Sequence, residues 1–209
     1  MERLNHVWHS NDENLWEAAA NEYWNIPTVN AKRALEKRME MIHQSRNVIL
    51  SSPTHFYEFL RDDLYPWKLD SMYISTQQRN LSHYHESVPN GLDIIRQRLA
   101  TNPSTVRQLQ IDGLLNQMSV IGGMGISVAS GCLAVLFPEH FGTVDRFCLR
   151  GFLTVTDDDL TDYFRDNVAN PDPFFDDYRD QLRLHVAKLM ILLYRRKAET
   201  LNANFTTNK

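Results

Sequence analysis

The chain has 209 residues, 43% of them hydrophobic, with 8 glycines, 8 prolines and two cysteines, enough for one substantial core or two small lobes sharing one cleft. It has no apolar run near the length of about 18 residues that spans a bilayer, and Met1–His6 lacks a signal-peptide pattern. Cys132 and Cys148 alone can form neither a disulfide framework nor a four-cysteine iron–sulfur cluster, so a reducing, cytoplasmic location is expected. The formal charge of −4 weighs against nucleic acid as a whole-chain property, yet residues 157–180 hold nine Asp and two Arg. Their local −7 leaves +3 for the rest, including a stripe at Lys32, Arg33, Lys37, Arg38 and Arg46.

Helical periodicity dominates from end to end. A first helix is predicted over 12–24, with Leu15, Ala18, Ala19 and Tyr23 on one side. Asn25–Asn30 breaks it, and Asn30 can cap a second helix over 31–49 with Leu35, Met39, Ile42 and Ile49 inward. Ser51 or Ser52 before Pro53 starts a short helix to Leu64, which Pro66 interrupts. Residues 66–88 read as polar and loop-rich. A helix over 91–99 stops before Asn102-Pro103, and Ser104 caps the next, to Met118. Helices follow over 126–137, after Asp145, from a cap at Thr156 or Asp157 to Val168, and over 174–199 beyond the turn Asn170–Pro173. The last buries Leu182, Val186, Leu189, Met190 and Leu193. Strand signals are nearly absent. The expectation is an all-α fold, a single domain over 1–201 with a frayed tail at 202–209.

The informative stretch is 114–137. An amphipathic helix ends in Val120-Ile121, Gly122-Gly123-Met124-Gly125 follows, and a second amphipathic helix starts at once. Glycines here allow positive backbone dihedrals and close approach of another backbone. Such a turn aims unpaired amides outward at the start of the second helix, where the dipole favours an anion such as phosphate. An ordinary αα-hairpin with a glycine cap is the plainer account.

Eighteen residues after Ser127 comes Val144-Asp145-Arg146-Phe147-Cys148-Leu149-Arg150. Asp145 is placed to start a helix whose dipole keeps a carboxylate ionised, and Val144 suggests partial burial. A carboxylate in that state suits a reaction that builds positive charge on a sugar, as cleavage of an N-glycosidic bond does. A plain N-cap aspartate is the alternative.

Together the two elements resemble the helix-hairpin-helix DNA glycosylase superfamily. Its pattern is an apolar residue, a Gly-x-Gly hairpin, a second helix, then Val-Asp with an Arg five positions on. Gly123, Gly125, Val144, Asp145 and Arg150 stand where that pattern wants them. The resemblance is sharp over 114–151 and topological elsewhere. It implies a two-lobed helical fold, double-stranded DNA as partner, no membrane association and action as a monomer. Asp145 takes the catalytic aspartate's role, while Gly123, Met124, Gly125, Ser127 and Arg150 contact DNA. Ser127 falls where bifunctional members carry a lysine nucleophile, which implies a monofunctional enzyme that uses water. No cofactor is required. Carbonyls of Ser119, Ile121 and Met124 would hold an optional K⁺ or Na⁺. Gly122 replaces a frequent proline, Phe147 a frequent histidine, and no Arg-Leu-Gly follows.

A glycosylase extrudes its target base and fills the gap. By the same resemblance, the break between the first two helices supplies the wedge, at Asn25 or Ile26. The base pocket is expected at Trp67, Lys68, Tyr73, Gln78 and Arg79, in the polar stretch that also holds Ser75, Thr76, Gln77 and Asn80. That mix suits a bulky modified base such as a glucosylated cytosine of invading viral DNA, since relatives act in antiviral defence as well as repair. A non-catalytic helix-hairpin-helix module is a competing reading. So is a helical interaction protein using the acidic segment 157–180.

Overall fold

The computed structural model describes residues 2–23, 25–101, 111–156, 158–168 and 184–207. Helices carry most of them and no strand occurs among the described residues, so the fold is all-α. The chain forms two compact units, one from residues 1–33 and 144–209, the other from 34–143. The expectation of one domain over 1–201 leaves open which residues make up each unit, because nothing local tells the first 33 residues that their partners come 110 positions later.

In chain order the helices are α1 (Glu2–His9), α2 (Glu13–Tyr23), α3 (Pro27–Asn30), α4 (Arg33–Ile42), α5 (Arg46–Ile49), α6 (Pro53–Glu58), α7 (Tyr65–Lys68) and α8 (Ser71–Ser87). They continue with α9 (Gly91–Leu99), α10 (Ile111–Ser119), α11 (Ile126–Leu136), α12 (Arg146–Thr154), α13 (Asp159–Asp166) and α14 (Leu184–Thr207).

The unit made from the chain's two ends is organised around Phe152 of α12. Its ring meets Trp8 of α1 edge-on at 5.3 Å, Phe164 of α13 at 5.6 Å and Tyr194 of α14 at 5.1 Å. One aromatic on one short helix thus ties together three others. Polar bonds pin α1 in place: Trp8 Nε1 donates to Asp158 Oδ2 at 3.0 Å, Asn5 Nδ2 donates to Thr156 Oγ1, and the Thr156 amide donates to Asn5 Oδ1. Residues 2–9, for which no helix is predicted from the sequence, thus form one. The Lys197 ammonium lies 5.5 Å from the rings of both Trp8 and Trp16, and burial lowers its pKa.

The unit from 34 to 143 packs α6, α7, α9, α10 and α11 around Phe56, Leu60, Leu64, Leu99, Leu114, Leu115, Met118 and Leu133, all fully buried. Helix α6 begins with Ser52 Oγ accepting from the His55 amide and Pro53 in the first turn, as its sequence requires. Pro66 does not interrupt the run. The preceding residues Phe59–Leu64 widen into a π-helical stretch, with the Tyr65 amide donating to Leu60 O, and α7 continues the run through the proline. A proline cannot donate to the carbonyl four residues back and its ring crowds that carbonyl. The wider turn absorbs both problems.

Several expectations are corrected. Residues 71–87 are a helix of 17 residues, not a loop. Its polar side chains satisfy one another a turn apart, Asn80 on Gln77 at 2.8 Å and Ser82 on Glu86 at 3.0 Å, while Leu81 anchors it in the core. The span 31–49 is broken into α4 and α5 by a 3₁₀ turn at His43–Ser45. The break after α2 is a tight corner, since Pro27 restarts a helical turn at once. On α2, Ala18 is exposed. Asp158, not Thr156, caps α13, its Oδ1 accepting from the Thr161 amide. The helix over 184–207 runs through the stretch expected to fray. Ser104, Asp157, the turn 170–173 and Leu182 lie outside the described residues, as does most of the acidic segment.

Candidate functional site

The hairpin is built as its sequence requires, with one exchange of roles among the glycines. Helix α10 ends at Ser119, the chain turns through Val120–Gly125, and α11 starts at Ile126. Turn bonds close it: the Ile121 amide donates to Met118 O and the Met124 amide to Ile121 O. Ile121 and Met124 are buried, so the loop's apolar residues are its foundation. Gly123 has φ +83°, a conformation side chains strain to adopt. Gly125 has an ordinary φ of −73°, and a Cβ there would meet nothing within 4 Å. The fold therefore does not require glycine at 125; its backbone is simply open to whatever approaches.

Gly122, which stands where members of the resembled superfamily often have proline, carries the tightest constraint. A Cβ there would lie 2.3 Å from Asn80 O, and one on Gly123 2.4 Å from Gln77 Oε1. Helix α8 thus runs directly against the turn. On its other flank, Tyr65 of α7 donates its hydroxyl to Gly122 O at 2.8 Å. Burial raises the pKa of that phenol. The Tyr65 bond spans 57 residues, and no local signal announces it.

Helix α11 is buried over most of its circumference, from Val128 through Leu136. Ser127 is half-buried, and its carbonyl accepts from Ser130 Oγ. One turn further along the same face, Gly131 makes room for Trp67 and Lys68. A Cβ on Gly131 would lie 3.2 Å from Trp67 Cζ3 and 3.4 Å from Lys68 Cδ and Cε. The Lys68 ammonium is 5.3 Å from the Trp67 ring centroid. The expected base-pocket residues therefore separate. Trp67 and Lys68 pack on α11, while the others ride on α8. There Gln78 donates to Arg61 O at 2.8 Å, Arg79 reaches Thr76, and Tyr73 is exposed.

Of the positive stripe, Arg46 turns inward. It donates to Leu136 O at 3.0 Å and to Glu139 at 2.9 Å, with its guanidinium over Phe137. It satisfies the C-terminus of α11 rather than lining a surface. Arg38 pairs with Asp63.

In the other unit, Asp145 is the N-cap of α12, half-buried behind the fully buried Val144. Its Oδ1 accepts from the amides of Phe147 and Cys148, both at 2.9 Å. The capping geometry expected from the sequence is thus present. Tyr194 of α14 hydrogen-bonds with Cys148 and faces the Asp145 charge; burial first, then Cys148 and Asp145, push its pKa up. Phe147 is 64% exposed with the Arg146 guanidinium 4.8 Å from its ring, a large apolar surface next to Asp145. Arg150 is half-buried on α12. Asn25 and Ile26 are both exposed at the α2–α3 corner, the Asn25 amide bonded to Glu22 O.

No group of three or more metal-ligating side chains occurs among the described residues, and none of the described helices is long and apolar enough to cross a membrane. The two free cysteines are Cys132, buried, and Cys148, half-buried. No family model, no curated protein and no solved structure matches the chain.

Proposed function

We propose that the protein is a monofunctional DNA N-glycosylase of the helix-hairpin-helix type, acting as a monomer on double-stranded DNA. The observation that supports this most is the hairpin backbone. A positive-φ glycine turns the chain into an 11-residue helix whose first residues follow Gly125, in front of which there is open space. Backbone amides at such a helix start bind phosphate and position a duplex without reading its sequence.

The chemistry falls to Asp145. Two amide bonds set the orientation of its carboxylate. With the target base extruded, the carboxylate stabilises the cationic sugar and orients a water toward C1′. The C1′–N bond breaks, the base leaving with its electron pair, and water's oxygen bonds to C1′ as the proton it loses passes to the departing base. Ser127 offers no amine, so the product is an abasic site. An optional K⁺ or Na⁺ would sit on the carbonyls of Ser119, Ile121 and Met124. The substrate is a damaged or modified base, with a bulky glucosylated cytosine of viral DNA as the foremost candidate.

The deciding experiment incubates the purified protein with duplexes carrying glucosylated hydroxymethylcytosine, uracil, alkylated purines or oxidised guanine, then cuts abasic sites with alkali. Strand scission on one of these duplexes is expected, and none on any of them removes the enzymatic reading. One observation favours a second reading. The Asp145 carboxylate has a complete structural job as a helix cap, as it would in a non-catalytic helix-hairpin-helix module. Duplex binding without scission would select that module.

A further inference from the structure

From Ser119 to Phe137 the hairpin and its second helix contain no charged residue. A surface that docks a polyanion through backbone amides gains from a nearby cation, and here it must come from elsewhere in the fold. Helix α7 brings one. Its Tyr65 bonds the hairpin at Gly122 O, and three residues on, Lys68 lays its aliphatic stem on Gly131. Gly131 follows Ser127 by four residues, so the two share one face of α11. A Cβ at position 131 would press on Trp67 at 3.2 Å and touch the Lys68 stem at 3.4 Å, so a branched side chain there would reach into the stem.

Resting on the DNA-binding reading above, we infer that Lys68 delivers a phosphate-binding ammonium to the Ser127 face of α11, supplying in space the cation that the hairpin's own sequence lacks. The stem, held between Trp67 and Gly131, limits where the ammonium can go, so less side-chain freedom is lost when a phosphate is bound. Its role is to seat the DNA backbone beside the hairpin. The amine is not the nucleophile.

The test measures affinity of the full-length protein for a duplex carrying a stable abasic-site analogue, over a series of KCl concentrations. Each phosphate neutralised by a lysine contributes about 0.9 to the slope of log affinity against log salt. Lys68→Gln is expected to lower that slope by about one and to weaken binding at low salt, while Lys68→Arg retains the slope. Gly131→Val keeps every charge but displaces the stem, and is expected to lower the slope as well. Thermal melts identify variants that have lost the fold. A folded Lys68→Gln protein with the wild-type slope overturns the inference, and so does a folded Gly131→Val protein that keeps it. A borohydride-trapped adduct in the wild type that vanishes in Lys68→Gln also overturns it, since the amine would then be attacking the sugar. Absence of duplex binding by the wild type at low salt sinks the DNA reading itself, which the slope comparison does not.

Discussion

The hydroxyl of Tyr65 donates to the carbonyl of Gly122 at 2.8 Å, joining a helix that precedes the hairpin by nearly 60 residues to the residue at which the hairpin turns. Tyr65→Phe leaves that carbonyl without this donor. The variant is expected to lose about 1 kcal/mol of stability, a fall in Tm of about 2–4 °C. A melt unchanged from wild type would show that the bond contributes nothing.

The three hairpin glycines are expected to rank by the geometry each occupies. Gly122→Ala drives a Cβ into a backbone carbonyl 2.3 Å away and destabilises most, because a helix must shift. Gly123→Ala must hold a side chain at positive φ, which costs about 1–2 kcal/mol, and must also displace Gln77. Gly125→Ala meets open space at an ordinary φ, so stability holds or rises by about 0.4–1 kcal/mol, while DNA affinity falls. Urea titrations and duplex binding on the same three proteins check the order. A Gly125→Ala protein with full affinity would make that open backbone irrelevant to DNA.

Asp145 caps α12, and the proposed function gives it the chemistry as well; two substitutions separate these roles. Asp145→Asn keeps an oxygen for the Phe147 and Cys148 amides and should melt near wild type, yet release base about 10²–10³ times more slowly. Asp145→Ala removes the cap as well and costs about 0.5–2 kcal/mol of stability. Single-turnover base release and melts distinguish them. Equal rates in wild type and Asp145→Asn would confine the residue to capping.

Arg46 links Leu136 O and Glu139, so Arg46→Met is expected to destabilise by about 1–2 kcal/mol near neutral pH. Burial raises the Glu139 pKa, but its own amide and Arg46 outweigh that and hold it below the ordinary 4.5. A depressed carboxylate stabilises the fold above its unfolded pKa and loses that contribution as pH falls through the folded value. The gap between wild type and Arg46→Met should therefore narrow below about pH 4.5. Urea midpoints at pH 7 and pH 4 measure it, and a gap that widens in acid contradicts the pairing.

By the resemblance, Ser127 falls where bifunctional members of that superfamily carry a lysine. Wild-type protein is expected to give no borohydride-trapped complex with substrate duplex, whereas Ser127→Lys acquires an amine at a half-buried position near the start of α11 and should give one. Gel shift under denaturing conditions reads both. Trapping by the wild type would end the monofunctional assignment.

Much of this protein is determined within single turns of chain, and there the sequence alone was enough. The end of α10, the bounds of α11, the glycine turn between them, the partial burial of Asp145, its cap and the Ser52-Pro53 start of α6 all follow from a residue and its neighbours within four positions. Such signals act over the reach of one hydrogen bond. Tertiary structure decided the rest. The polar run 71–87 became a helix because its side chains pair with one another and Leu81 and Asn80 find a core and a hairpin to pack on. Pro66 stayed within a helical run because the π-helical stretch before it could widen. Gly122, which by the resemblance stands in place of a frequent proline, is the point where α8 crosses the turn, with Asn80 O 2.3 Å from a would-be Cβ. Lys68, a residue expected at the base pocket, lies on Gly131, 63 positions away. Close approach between distant segments selects residues for the space they leave empty. An empty space has no pattern in the chain, and it exists only once the helices have met.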